Sequence, residues 1–375
     1  MEDVGRNDPC WCKSGKKFKK CHLDREREAP LTRADFEVHT KKNSKKCSAR
    51  SLSDGACTSK IINAHTISKG GCLKTLEIAG HVLGTKPSIS ELEKSEGTVG
   101  LHKVGLKDAS TFTGFCSYHD KALFAPLEDQ PIILSDAQLF LLTYRSLSRE
   151  LYAKEENLRT AEFIKISDRG MSLPMQVIIQ KRARNYEHEV NLALRELTSA
   201  KSSLDAMLVS EDYTGLNHFV IELSELPKIL VSGSTQPDFD FKGNRLQTFG
   251  HSEKPMSHII YNAISYENKG CFVFSWLENS DAVCRKFVDS LACMGHSEIA
   301  DALVRFCYSY CENTWVSPAW WDTLEKSSQE DISRKLQLGM TIEHGPDDLP
   351  PNGIKFNAFK VVSTTLRATP NEQTA

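Results

Sequence analysis

Within the first twenty-two residues, Cys10, Cys12, Cys21 and His22 stand as Cys-x-Cys, then eight residues, then Cys-His, and no other feature of the chain limits its folding so tightly. Three thiolates and one imidazole fill a tetrahedral zinc shell and leave no position open, which is the composition of a structural centre rather than a catalytic one. In an extended segment residues i and i+2 face the same way, so Cys10 and Cys12 can present both sulfurs to one ion while Trp11 points to the other side. Asn7, Asp8, Pro9, Ser14 and Gly15 supply turn chemistry on either side. The adjacent pair Cys21 and His22 can then close the loop from a second turn. So short a peptide has little core to bury, so the metal would provide much of its folding energy. The alternative reading is four metal-free residues in a floppy tail.

On these residues the segment 5–22 resembles the SEC-C motif, the zinc-binding module at the C-terminus of the SecA translocation ATPase, which is also appended to many otherwise unrelated bacterial proteins. In SecA the module is a contact surface for an export chaperone and the ribosome, so the resemblance implies a docking role. It does not imply an ATPase, and the chain holds no phosphate-binding glycine loop of the P-loop type. Lys13, Lys16, Lys17, Lys19 and Lys20 offset the net negative charge of a Zn(Cys)3His centre and leave a positive surface. Lys16, Lys17, Lys19 and Lys20 are therefore candidate contacts to a phosphate backbone or to an acidic protein patch.

A chain of 375 residues has material for two or three domains and at least one sizeable core. Its net charge of -2 hides an asymmetry: residues 1–125 carry +7 and the remainder -9, which suggests that the N-terminal part meets the partner. Twelve cysteines would suit an oxidised, secreted protein, but the opening MEDVGRNDPC has neither the basic nor the apolar region of a signal peptide. No apolar run approaches the length of a membrane span. Thiols at ligand spacing in a reducing cytoplasm read as metal sites rather than disulfides. Cys271, Cys284, Cys293, Cys307 and Cys311 lie inside apolar patterns and are expected to pack in the core.

Along the chain the composition marks out a zinc module at 1–24, a basic linker at 25–46, a second cysteine-rich unit at 47–130, a larger body at 131–346 and a loop-like tail at 347–375. In the second unit LKTLEIAGHVL reads as helical and Thr85 to Gly97 as a polar loop. From Ser135 good helix formers run on, with Ser135 as a candidate N-cap. Near 186–209 Val190, Leu194, Leu197, Leu204 and Leu208 form a helical apolar stripe. HFVIEL, KILVS, HIIYNAI and CFVFSWL are short, β-rich and separated by turn residues, which predicts an antiparallel or mixed sheet of about four or five strands. Helices are expected again over 281–295 and 297–311 and near Gln329. The fold class is α+β.

The second unit gathers Cys47, Cys57, His65, Cys72, His81, Cys116 and His119. Cys116-x-x-His119 at the start of a short helix is a common half of a zinc site, because the first turn aims two side chains at one point. Cys47 and Cys57 form a looser knuckle that requires the SLSDG turn to fold back. A second structural zinc on Cys47, Cys57, Cys116 and His119 is expected; the competing reading packs these side chains without metal, with Cys72 and His81 as ordinary residues of the intervening helix and loop.

The same stretch, roughly 47–124, is similar to the HNH endonuclease family and its ββα-metal core. IINAHTIS resembles the first phrase of that family, with His65 on its catalytic histidine, and GFCSYHDKALF resembles the closing helix. There Cys116 and His119 fall on structural zinc ligands and Asp120 on the histidine that binds the catalytic metal. The family's middle Asn has no clear counterpart, with Thr113 before Gly114 in its place, and a long insertion separates the two phrases. The resemblance implies Mg2+ or another divalent ion on Asp120 and a neighbour, Asn63 or His119, with His65 activating water.

Arg145, Arg149 and Glu150 can form ion pairs or face a ligand, and Glu312, Trp315, Trp320 and Trp321 can form a recognition surface or anchor a helix to the sheet. The sequence thus predicts a cytoplasmic, zinc-dependent nucleic-acid-binding protein, with His65 and Asp120 as candidate endonuclease residues in defence against foreign DNA. Its alternative is a non-enzymatic adaptor that docks on a chaperone, ribosome or partner enzyme through the SEC-C module.

Overall fold

In the computed structural model, which describes residues 4–42, 44–52, 57–58, 60–85, 99–248, 255–341 and 344–368, the chain divides into two units. The first comprises 1–44 and 151–198, and the second 45–150 and 199–375.

In the first unit a loop returns on itself at the bridge between Pro9 and Lys17, with Lys13 and Gly15 in left-handed conformation at φ 61° and 73°. Helix α1 (Arg33–Lys41) lies inside the stretch read as a basic linker. Its start is set by a capping box, in which the Thr32 hydroxyl accepts from the Asp35 backbone while the Asp35 carboxylate accepts from the Thr32 N–H. One side of α1 is held by Phe163, on which Phe36 sits edge-on at 5.0 Å and His39 stacks at 4.2 Å. Phe163 belongs to a long helix, Asp136–Ile166, whose residues 151–166 lie in this unit together with 173–198 of a second, Leu173–Ser210.

The turn between these helices contains Gly170 at φ 71°, where an added Cβ would fall 2.7 Å from Pro30 Cγ and 2.9 Å from the Glu28 carbonyl oxygen. Both the dihedral and the space exclude a side chain. Gly170→Ala is expected to destabilise the first unit by about 1–2 kcal/mol, read as a lower denaturation midpoint. An unchanged midpoint would show that the turn relaxes freely.

The second unit begins with an antiparallel pair, β1 (Ile61–His65) and β4 (Thr111–Cys116), followed by helix α2 (Ser117–Glu128). Between them come β2 (His81–Gly84) and β3 (His102–Gly105). LKTLEIAGHVL is thus a 3-10 turn at Leu73–Thr75 and then a strand, not a helix. Ala79 and Gly80 are both left-handed, at φ 49° and 79°, which reverses the chain before β2. Most of the Thr85–Gly97 loop and part of the SLSDG turn lie outside the described residues.

The two long helices are α3 (Asp136–Ile166) and α4 (Leu173–Ser210); residues Val190, Leu197 and Leu204 of the apolar stripe are buried. After them run β5 (Leu216–Leu223), β6 (Ile229–Thr235), β7 (Ile259–Tyr266) and β8 (Lys269–Leu277), then α5 (Asp281–Ala292), α6 (His296–Tyr310), β9 (Thr314–Val316), α7 (Pro318–Thr323), α8 (Lys326–Thr341) and β10 (Val361–Arg367). The sheet has eight strands among the described residues, in the order β10-β5-β8-β7-β6-β9-β2-β3, with antiparallel pairing throughout.

Its four central strands are those expected, and they read as apolar runs because both faces are covered. Tyr261 and Phe274, paired across β7 and β8, meet Phe306 of α6 at 5.3 Å and 5.1 Å on one face. Neighbouring Asn262 and its partner Ser232 point the other way and bind the Ser146 hydroxyl of α3 at 2.8 Å and 2.7 Å. The extra strands are short or peripheral. β10 extends the sheet within the stretch read as a tail, and residues 369–375 lie outside the described residues. Cys271, Cys284, Cys307 and Cys311 are buried as expected, but Cys293 is exposed, because it caps the end of α5 where the apolar face has run out.

Candidate metal centres

The first centre is assembled by local chain reversal. The Cys10 N–H donates to the Lys16 carbonyl at 2.8 Å and the Phe18 N–H to that of Asp8 at 2.8 Å, while both Cys21 and His22 N–H groups donate to the Phe18 carbonyl at 3.0 Å. These bonds place Cys10, Cys12, Cys21 and His22 around one point, with their ligand atoms all within 4.8 Å of one another. His22 Nδ1 lies 3.2 Å from Cys10 Sγ and 3.1 Å from Cys21 Sγ, and Cys12 Sγ lies 3.5 Å from Cys21 Sγ. A tetrahedron with metal–sulfur bonds of about 2.3 Å and metal–nitrogen bonds of about 2.0–2.1 Å has edges of about 3.5–3.8 Å, so the four atoms fit such an ion with little adjustment. Burial raises the Cys12 thiol, but hydrogen bonds from Ser14 and the neighbouring cysteines outweigh it and hold the group below its ordinary range. The same burial pushes the Cys10 thiol up to about 12 and raises that of Cys21.

The second centre is built from two distant pieces. Cys116 ends β4 and caps α2, and its sulfur accepts from the His119 N–H at 3.4 Å. The Cys47 knuckle is pinned alongside by Lys46 N–H to the Thr113 carbonyl at 3.3 Å and Ser48 N–H to that of Gly114 at 2.8 Å. His119 Nδ1 is 3.2 Å from both the Cys47 and Cys116 sulfurs, and with Cys57 the four ligand atoms again lie within 4.8 Å. Burial raises the Cys116 thiol, yet donors from the His119 and Thr58 backbone and the Thr58 hydroxyl bring it below the ordinary value. Lys201, buried, donates to the Ser48 carbonyl at 3.3 Å and to Tyr144 Oη at 2.8 Å, and is paired with Asp205. It stands close enough to Cys47 to feel its charge, although burial lowers its own pKa.

Both ligand sets expected from the sequence are therefore brought together, and Cys72 and His81 stand apart. Cys72 Sγ donates to the Ser265 carbonyl at 3.4 Å, while the His81 ring contacts its own turn at Ala79.

His65 closes β1, half-buried, with Nε2 at 3.2 Å from the Leu106 carbonyl. A carbonyl only accepts, so Nε2 carries the proton and Nδ1 keeps its lone pair. Burial holds the ring below its ordinary pKa of 6.5. Asp120 stands in the first turn of α2, close enough to His65 and Arg145 to feel their charge. Burial raises its carboxyl, and its Oδ1 is buried with no hydrogen-bond partner among the described residues. Arg145 lies over the Phe124 ring at 3.9 Å and pairs with Glu128 at 2.8 Å. Asn63 is exposed on β1. At the Thr113–Gly114 step, a Cβ on Gly114 would strike the Phe112 ring at 2.1 Å, so the strand needs glycine there.

Lys13, Lys16, Lys17, Lys19 and Lys20 are exposed. Arg149 and Glu150 pair at 3.1 Å. Trp315 and Trp320 are buried anchors, donating to Asn313 Oδ1 at 2.7 Å and the Phe356 carbonyl at 3.0 Å, whereas Glu312 is exposed and Trp321 half-buried. The residue that spacing does not reveal is Asp168, which meets His22 from 146 positions away. No local pattern marks it.

A family model described as the SEC-C motif matches residues 6–24, the loop that carries the first centre. This segment is a SEC-C motif. Over 28 residues the chain is 68% identical to the protein translocase subunit SecA of Chloroflexus aggregans (strain MD-66 / DSM 9485), a match that covers 8% of this chain and 3% of that one. No solved structure matches the chain. Among the described residues no helix is long and apolar enough to cross a membrane.

Proposed function

We propose that both centres hold Zn2+ and that the β1–β4–α2 unit binds nucleic acid and cleaves phosphodiester bonds with a further divalent ion such as Mg2+. The observation that carries this reading is that His65, held by the Leu106 carbonyl with its pKa lowered by burial, stands near enough to feel the charge of Asp120, whose buried Oδ1 has no hydrogen-bond partner among the described residues. An antiparallel strand pair followed by a helix whose first turn carries His119 and Asp120 supports this reading. Asp120 would hold the divalent ion, which when bound polarises the phosphate and stabilises the departing oxygen. His65 Nδ1 takes a proton from water as the water oxygen bonds to phosphorus and the phosphorus–oxygen bond to the leaving group breaks. The Leu106 carbonyl keeps the ring oriented throughout.

Purified protein should nick plasmid DNA with Mg2+, Mn2+ or Ni2+. His65→Ala should reduce nicking by about 100- to 10,000-fold while leaving the zinc content unchanged. Because burial depresses the His65 pKa, its base form is lost only below pH 6.5, and the acidic limb of the rate profile should lie there. Equal cleavage by the variant, or none by the wild type, would remove this reading.

The exposed lysines of the SEC-C segment favour a second reading, an adaptor that docks on an acidic protein surface. It predicts no cleavage, but a partner in a pull-down that is lost on Cys10→Ser.

A further inference from the structure

The first centre is supported from outside the SEC-C segment. His22 turns Nδ1 toward the cysteine sulfurs, and its Nε2 lies 2.8 Å from Asp168 Oδ2. A carboxylate only accepts, so this contact places the proton on Nε2 and leaves Nδ1 as the ligand atom. Asp168 is fully buried and lies just beyond the end of α3. Its other donors are Arg25 Nε, 2.7 Å from Oδ1, and Gln180 Nε2 of α4, 2.7 Å from Oδ2. Arg25 supplies the compensating charge.

Other bonds join the same pieces. Arg184 Nη1 of α4 donates to the Cys12 carbonyl at 2.9 Å, and the Gly170 N–H to the Arg25 carbonyl at 3.0 Å. One ligand side chain and one ligand carbonyl are thus gripped by residues 168–184. Asp168 is the only one of these groups that touches a ligand's ring.

We propose that Asp168 is a positioning residue for the first metal centre, so that metal binding by residues 10–22 and closure of the helical segments 151–166 and 173–198 form one coupled equilibrium. The inference rests on the zinc-binding reading of that centre. A histidine whose second nitrogen is held by a carboxylate is fixed in tautomer and ring orientation, and its basicity toward metal rises. Coupling of this kind is reciprocal, so what metal gains from the helices the helices gain from metal.

The test uses the full chain. Zinc affinity measured by chelator competition should show two classes of site, and Asp168→Asn should weaken one of them by about 10- to 100-fold while sparing the other. In the ring-nitrogen NMR spectrum of the zinc-loaded wild type, His22 should show metal-bound Nδ1 and a slowly exchanging Nε2 proton; the variant should lose that protection. Hydrogen exchange of the unsubstituted protein needs no variant: stripping zinc should speed exchange across 151–166 and 173–198. Unchanged affinity in Asp168→Asn, or helix exchange indifferent to zinc in the wild type, overturns the proposal. Wild type that takes up no zinc at the first centre overturns the zinc reading as well, which distinguishes the two failures.

Discussion

Cys116→Ser is expected to lower the bound transition metal from two ions per chain to one and to open the β1–β4–α2 unit to protease. Its sulfur belongs to the second Cys3His group, caps α2 and stands at the end of β4, so one atom would serve metal, helix and strand. The apolar core beneath is small: Phe112, Phe115 and Phe124 meet edge to face at 5.7 Å and 5.2 Å. Two backbone bonds hold the Cys47 knuckle to β4. Structural zinc contributes about 10–16 kcal/mol in isolated finger peptides, far more than such a cluster can replace. Elemental analysis and limited proteolysis of the purified variant read both effects. Two ions retained per chain would show that Cys116 is not a ligand, and its pairing with His119 would be packing alone.

Phe306→Ala is expected to cost about 3–5 kcal/mol, a large share of the roughly 5–15 kcal/mol that holds a typical domain folded. Phe306 is wholly buried on α6 and its ring touches those of Tyr261, Phe272, Phe274, Phe287 and Tyr310 at 5.1 to 6.2 Å. Truncation removes the hub through which β7, β8, α5 and α6 meet and leaves a cavity that rigid strands cannot close. Urea unfolding followed by far-ultraviolet circular dichroism measures the loss, and the first metal centre should keep its ion because it lies in the other unit. A shift below about 1 kcal/mol would mean that the sheet collapses onto the gap.

Both Cys3His groups are legible in the amino-acid sequence, because each is built from pairs at short local spacing. Cys-x-Cys and Cys-His each need only one turn, and Cys116-x-x-His119 needs only the first turn of a helix; the fold then has to join halves that are already shaped. The four central strands are legible for a similar reason, since burial on both faces demands an unbroken apolar run. The edge strands are not. β9 has three residues and β2 four, too few for a period, and β2 is a strand because Leu83 and Gly84 pair with Val316 and Trp315. Gly84 is there because a Cβ would lie 2.5 Å from the Trp315 ring, a constraint set 231 residues away. The expected helix over LKTLEIAGHVL yields to that pairing and to the left-handed Ala79–Gly80 step.

The sequence by itself determined the donors: which sulfurs and imidazoles exist, at what spacing, beside which lysines, and which stretches must be buried. Only the tertiary structure decided how those donors are held. Asp168 against His22, and Lys201 against Ser48 next to Cys47, are contacts across 146 and 153 positions. A first-coordination residue is recognisable because chemistry restricts it to a few types at short separations. A supporting carboxylate or ammonium can come from anywhere in the chain, since all it must satisfy is a distance of about 3 Å that folding alone creates.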